Sequence, residues 1–100
     1  MNFQSLVYFK TVAELQHYTK AASTLFITQP ALSKAIHNLE VELGVTLFQK
    51  EGRNVTLTPS GAVFYEYVKR AVDEINNGMK AVQHRADVER NLSLIHISEP

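Results

Sequence analysis

Cysteine is missing from all 100 residues. Its absence excludes disulfides, thiolate metal sites and cysteine nucleophiles. It also suits a reducing compartment, and the cytoplasm is the location expected. The first residues, "MNFQSLVYFK", have neither the basic start nor the continuous apolar run of a secretory leader. No apolar run is long enough to span a bilayer, so no membrane role is expected. Internal repeats and low-complexity segments are absent too. Net charge is lacking as well, since ten basic side chains balance ten acidic ones. Taken alone, that balance argues mildly against nucleic acid, whose binders usually carry a basic excess. What remains is the size of one small domain, 45% hydrophobic and 20% charged, which reads as globular with one modest core.

One more absence is local. Between Glu14 and Glu40 no acidic residue occurs, while His17, Lys20, Lys34 and His37 fall in the gap. The acids gather later, at Asp73, Glu74, Asp87 and Glu89. Either the gap is chance, or one face of a neutral molecule is positive. "FITQPALSKAIHNLE", residues 26–40, lies in this gap. Thr28 is a good N-cap, because its side-chain oxygen can accept a bond from an orphan backbone N–H. Pro30 falls in the first turn, where its missing N–H does no harm. Leu32, Ile36, Leu39 and Leu43 recur at helical spacing as a buried stripe. Gly44 suits the left-handed position after the last turn. The outward positions Gln29, Ser33, Lys34 and His37 are polar but not acidic.

Two helices are expected before this one. The first spans Asn2 to Glu14, with Phe3, Leu6, Val7, Phe9 and Val12–Ala13 on a broad stripe. The second, from about Thr19 to Leu25, carries the small pair Ala21–Ala22, and Phe26–Ile27 form an apolar connector. After the third helix, Leu47–Phe48 and Val55–Leu57 flank Glu51, Gly52, Arg53 and Asn54, the pattern of a hairpin. Thr58–Pro59 repeats the start signal of a helix. From there Phe64, Val68, Val72, Ile75, Met79 and Val82 mark a stripe over about 28 residues, or about 40 Å. Such a helix exceeds what a small domain can cover. Self-association through that stripe is expected, the alternative being a helix lying across a larger domain. The fold class is thus mainly α, a winged helix-turn-helix of three helices and a two-stranded wing, followed by a long linker and dimerisation helix.

"YTKAASTLFITQPALSKAIHNLEVELGVTLFQKEGRNVTLTPSG" resembles the winged helix-turn-helix of LysR-type transcriptional regulators, a bacterial family. The matching features are the Ala-Ala of the second helix and Thr-Gln-Pro-Ala-Leu-Ser at the start of the third. Ile-x-x-Leu-Glu-x-x-Leu-Gly, the Leu-Phe opening the wing, and the Leu-Thr-x-x-Gly opening the long helix also match. The resemblance covers about residues 1–88. It departs where His17 replaces a small residue, and where Thr28 stands for serine. It implies a DNA-binding domain over residues 1–58, with the helix-turn-helix at about 18–37 and the wing at about 47–57. A linker helix over 59–88 would follow. Residues 89–100, "NLSLIHISEP" with its two preceding residues, are then either the first strand of an effector domain, cut short, or an appended tail.

The resemblance further implies a homodimer on double-stranded DNA with dyad-symmetric half-sites, the third helix in the major groove and the wing along the backbone. Thr28, Gln29, Pro30, Ala31, Ser33, Lys34, His37 and Arg53 become the DNA-binding candidates. Gln29 can pair bidentately with adenine, Lys34 can reach guanine or phosphate, and Pro30 and Ala31 can touch a thymine methyl. Ser33 can donate to a base or a phosphate, and Arg53 suits phosphate or a narrow minor groove. No enzyme is expected, because Ser33 and His37 lack an orienting acid. No metal or cofactor is expected either: His17, His37, His84 and His96 lack ligand spacing and read as solvated or backbone-bonded. A winged-helix module that binds protein instead of DNA is the other class in view. No small-molecule effector is expected for these residues, whose elements form no second lobe around a cleft.

Overall fold

The computed structural model describes the backbone of residues 1–98 and the side chains of residues 1–92. The order is α1 (Phe3–Leu15), α2 (Tyr18–Leu25), α3 (Gln29–Leu43), β1 (Phe48–Glu51), β2 (Asn54–Leu57) and α4 (Pro59–Ser98). Each start has a local cause. Asn2 accepts from the Ser5 N–H at 2.8 Å, and the Ser5 hydroxyl accepts from the Asn2 N–H at 3.1 Å, a reciprocal box. α2 begins one residue earlier than expected because His17 caps it, its Nδ1 accepting from the Lys20 N–H at 3.1 Å. This histidine is backbone-bonded. Thr28 caps α3 by accepting from the Ala31 N–H at 3.3 Å. Thr58 caps α4 by accepting from the Gly61 N–H at 3.0 Å.

Three helix ends turn left-handed. Gly44 closes α3 at φ 73°, where glycine carries no steric penalty. Gln16 and Phe26 close α1 and α2 at φ 55° and 58°, and both carry a Cβ into that region. The Phe26 ring is 94% exposed, so the connector is apolar in composition but not in burial. The wing is an antiparallel pair with Phe48 opposite Leu57 and Glu51 opposite Asn54. Of its two turn residues only Gly52 has positive φ, at 66°, the pattern of a turn with glycine at the first central position.

Phe9 stands at the centre of the core, fully buried, with its ring 5.4 Å from Phe48 and 5.2 Å from Phe64. Val12, Leu32, Ile36 and Leu47 surround it, and Ala21 and Ala22 let α2 lie close to its neighbours. Burying each large side chain contributes roughly 1.5–3 kcal/mol. The start of α4 closes this core, which corrects the expectation that its whole stripe faces a partner. Val68 is 2% and Val72 5% exposed, and Phe64 packs beside them. The folded unit therefore extends past residue 58 into α4. The helix is also longer than expected, 40 residues reaching Ser98, and the particle measures 69 Å along its long axis. Of the two readings of residues 89–100, the strand is not what forms, since α4 continues as far as Ser98. Residues 99–100 lie outside the described residues.

α4 is seated against the wing at Gly61. A Cβ there would lie 2.1 Å from the Leu47 carbonyl oxygen, a backbone atom that cannot rotate away. Gly61→Ala is expected to destabilise the protein by about 1–3 kcal/mol, as overpacking does. Urea denaturation checks this, through a lower midpoint at unchanged slope.

Candidate nucleic-acid interface

α3 presents its first turn outward, with Gln29, Pro30 and Ala31 exposed and no acidic residue among them. An open cleft of about 370 Å³ runs from there to the wing tip. Gln29 lines one side; Gly52, Arg53 and Asn54 line the other. The N-terminus of α2 completes it with His17, Tyr18 and Thr19. Two candidates far apart in sequence, Gln29 and Arg53, thus share one concavity. Thr28 sits at its edge as the cap of α3, its hydroxyl oxygen engaged with the Ala31 N–H. Lys34 projects to solvent on the same helix and Ser33 is half-buried. His37 lies apart, along a shallow depression formed with Val41, Gly44 and Val45.

Sequence reasoning placed His17 in the acid-free stretch but made none of Lys50, His17 or Thr19 a DNA-binding candidate, and the fold brings all three into the cleft. Strand alternation was the available signal for Lys50, since it sets Lys50 and Glu51 on opposite faces of β1. Among the described residues no carboxylate lines the cleft. Among the described residues, Lys20, Lys34, Lys50 and Arg53 form no ion pair, whereas Lys10, Arg85 and Arg90 do. The cations nearest the outward face of α3 and the wing are therefore not neutralised internally.

Glu40, the acid that ends the gap, does not line the cleft but borders the depression beside His37. Its Oε2 accepts the Leu47 N–H at 2.6 Å and the Phe48 N–H at 3.4 Å, at the root of β1. Tyr18 packs edge-on against Phe48, ring centroids 6.0 Å apart. Burial, and then the Glu40 carboxylate, push the Tyr18 phenol up to about 12.

Beyond Val72 the α4 stripe is free: Ile75 is 50%, Met79 53% and Val82 69% exposed. Val63 and Tyr67 are exposed as well and extend the apolar face toward the start of the helix. The Arg70 guanidinium lies 5.2 Å from the centre of the Tyr67 ring. Val63 and Tyr67, rather than Phe64, Val68 and Val72, are the apolar side chains that this part of α4 leaves exposed. A spacing of four from residue 63 to 67 to 71 to 75 to 79 was the signal for them. Among the described residues no helix is long and apolar enough to cross a membrane, and no cluster of His, Asp and Glu could hold a metal ion.

Known proteins share both the sequence and the shape. The profile of the family described as bacterial regulatory helix-turn-helix protein, lysR family, matches residues 3–62. An uncharacterized HTH-type transcriptional regulator, YybE of Bacillus subtilis (strain 168), is 45% identical over 83 residues, which are 83% of this chain and 28% of that protein. The chain thus spans under a third of the curated relatives it matches. The crystal structure of the BenM DNA-binding domain with catB site 1 DNA has a TM-score of 0.82 at 40% identity, covering 86% of this chain and 96% of that one. The CbnR DNA-binding domain in complex with DNA has a TM-score of 0.77 at 31% identity, covering 86% and 99%.

The Tyr18 shift has a measurable consequence. An unfolded tyrosine titrates near 10, so between about pH 10 and 12 the native state keeps a proton that the unfolded chain gives up. This contribution to stability is complete below pH 10 and declines as pH rises toward 12. Tyr65, bonded to the Glu14 carboxylate, is likewise pushed up to about 12 by burial and then by that bond, so phenolate absorbance is expected to show two late-titrating groups, of which Tyr18→Phe removes one, and that variant should lose stability less steeply over the same interval.

Proposed function

The chain belongs to the LysR family of bacterial regulatory helix-turn-helix proteins, and on that premise we propose that it binds specific double-stranded DNA to regulate transcription. One observation carries the reading. The first turn of α3, the N-terminus of α2 and the wing tip converge on a single cleft lined by no carboxylate, beside cations that lack internal partners. α3 reads base edges in the major groove, with Gln29 paired to adenine and Lys34 reaching guanine or phosphate. Pro30 and Ala31 meet a thymine methyl, while Ser33 and the Thr28 turn contact base or phosphate. Arg53 follows the backbone or a narrow minor groove, and Lys50 and His17 add phosphate contacts from the cleft walls. His37, set apart from the cleft, serves the outer margin of the site at most.

Binding, not catalysis, is the activity, since the related proteins are transcriptional regulators and no acid, base and nucleophile meet at the cleft. Its place is the cytoplasm, where bacterial DNA lies. Two copies associate through the exposed face of α4, with Ile75, Met79 and Val82 at its centre and Val63 and Tyr67 extending it. A dimer doubles the local positive patch of a neutral chain and calls for two dyad-related half-sites. Their centres are separated by about one helical turn of 10–10.5 bp or a multiple of it.

Gln29→Ala should cost about 1–3 kcal/mol on a selected site and much less on scrambled DNA, because a bidentate base contact carries discrimination. Arg53→Ala should weaken all duplexes more evenly and lower the salt slope by about one unit. Titrations of both variants on both duplexes across a salt series check this. Equal weakening by Gln29→Ala on both duplexes would remove α3 from its reading role. Failure of any duplex to bind would favour a protein-binding winged helix.

Ile75→Asp should shift the protein toward monomer, since burying such a side chain is worth roughly 1.5–3 kcal/mol and a carboxylate reverses the gain. Sedimentation velocity over a concentration series measures it, and an unchanged dimer would move the interface elsewhere.

A further inference from the structure

We propose that Glu40 is a positioning residue for DNA binding: its carboxylate sets the wing at a fixed place relative to the helix that reads the bases. The proposal rests on the DNA-binding reading above and adds a residue that touches no DNA. Glu40 works at both ends of the connection between α3 and β1. Its backbone carbonyl accepts the Gly44 N–H at 2.8 Å and the Val45 N–H at 3.2 Å, which terminates α3. Its side-chain Oε2 accepts the Leu47 N–H at 2.6 Å and the Phe48 N–H at 3.4 Å, which starts β1. A single residue therefore ends the reading helix and holds the root of the wing.

The wing has a second anchor. The Val55 N–H on β2 donates to the Gln16 carbonyl at 3.0 Å, and the left-handed backbone of Gln16 aims that carbonyl. β1 is thus fixed to α3, and β2 to the corner before α2. Arg53 is carried at the tip between the two strands. With the β2 anchor, the Thr58 bonds to the Thr46 and Leu47 carbonyls and the buried Val55 and Leu47 intact, loss of the Glu40 bonds leaves the hairpin formed but removes the restraint on the Leu47 and Phe48 N–H groups, so its β1 root tilts more easily. Four residues at about 3.3 Å each separate root from tip, so a small tilt displaces Arg53 by more than a hydrogen bond tolerates.

The sign of the effect separates this role from plain electrostatics. Glu40 is an acid on the helix that meets DNA. If its charge acted directly, removing it would tighten binding to every duplex. Positioning demands the reverse. Glu40→Gln preserves size and keeps an oxygen that can accept both N–H groups, but it removes the charge that strengthens both bonds. Glu40→Asp keeps the charge and loses the reach of one methylene. Either variant is expected to weaken binding and to lower the salt slope by about one unit, as Arg53→Ala does. Preference for the selected site over the scrambled one should be retained, because α3 keeps its own cap and stripe. In an Arg53→Ala background neither variant should weaken binding further, since both act through the same contact.

The test measures the parent, Arg53→Ala, Glu40→Gln, Glu40→Asp and the two doubles on both duplexes across a salt series, with thermal unfolding identifying the folded variants. If one Glu40 variant fails to fold, the other carries the measurement. Tighter or unchanged binding overturns the proposal. So do effects that add to those of Arg53→Ala, or an equal loss of site preference. A slope that falls for Arg53→Ala and not for the Glu40 variants sinks the positioning role alone. A slope unmoved by Arg53→Ala removes the wing contact itself, and the proposal with it.

Discussion

The peptide of Leu47 is the constraint on which the arrangement of this protein depends. Its N–H is held by the Glu40 carboxylate at 2.6 Å, and its carbonyl accepts the Thr58 N–H at 3.0 Å. Gly61 lies against the same carbonyl, and the side chain is fully buried in the core. The Thr58 hydroxyl, donating to the Thr46 carbonyl at 2.6 Å, secures the neighbouring peptide. Helix α3, the wing and the start of α4 are therefore referenced to one another through two consecutive residues. A buried peptide with both polar groups engaged resists displacement, because moving it strands a donor or an acceptor. Helix α3, the wing and the start of α4 keep a common frame for this reason.

Neutrality overall does not hinder an interface with a polyanion when charge is sorted in space. Lys10 pairs with Glu14 across one turn, and Arg85 and Arg90 pair with Glu89 and Asp87 on α4. Those pairs cancel charge away from the cleft. The cleft itself has Lys50 and Arg53 opposite Gln29 and, among the described residues, no carboxylate on its walls. Exposed pairs of this kind contribute little to stability, so their value lies in where they leave the remaining charge.

Much of this was legible in the sequence, and the reasons differ by element. The bounds of α3 follow from Thr28, Pro30 and Gly44, each acting on its own few residues, so no tertiary knowledge was needed. The wing was legible because Gly52 supplies the one positive φ its turn requires. The facing of α4 was not, since a stripe at spacings of three and four looks the same whether the covering surface belongs to the same chain or to another. Phe64, Val68 and Val72 went to the domain's own core, and Val63 and Tyr67 remained exposed. The place of Lys50 and His17 in the cleft was not legible, because only the packing of the wing beside α2 brings them to Gln29. Glu40 was visible as the end of an acid-free stretch, but its target is a backbone N–H seven residues on, which no side-chain pattern announces.

The length of α4 bears on how the two parts of such a molecule would communicate. Phe64, Val68 and Val72 key the helix into the core, and the same unbroken helix continues past them. From Val72 to Leu92 is about 30 Å of hydrogen-bonded rod at 1.5 Å per residue. A flexible linker relays only the distance between its ends. A keyed rod also conveys torque: turning its far end about the axis must either turn the reading head or strip those three side chains from their seats. α4 is a drive shaft in this sense, and in the proposed dimer the angle between the two folded heads would be a mechanical property of the helix as much as of the surface where the copies meet.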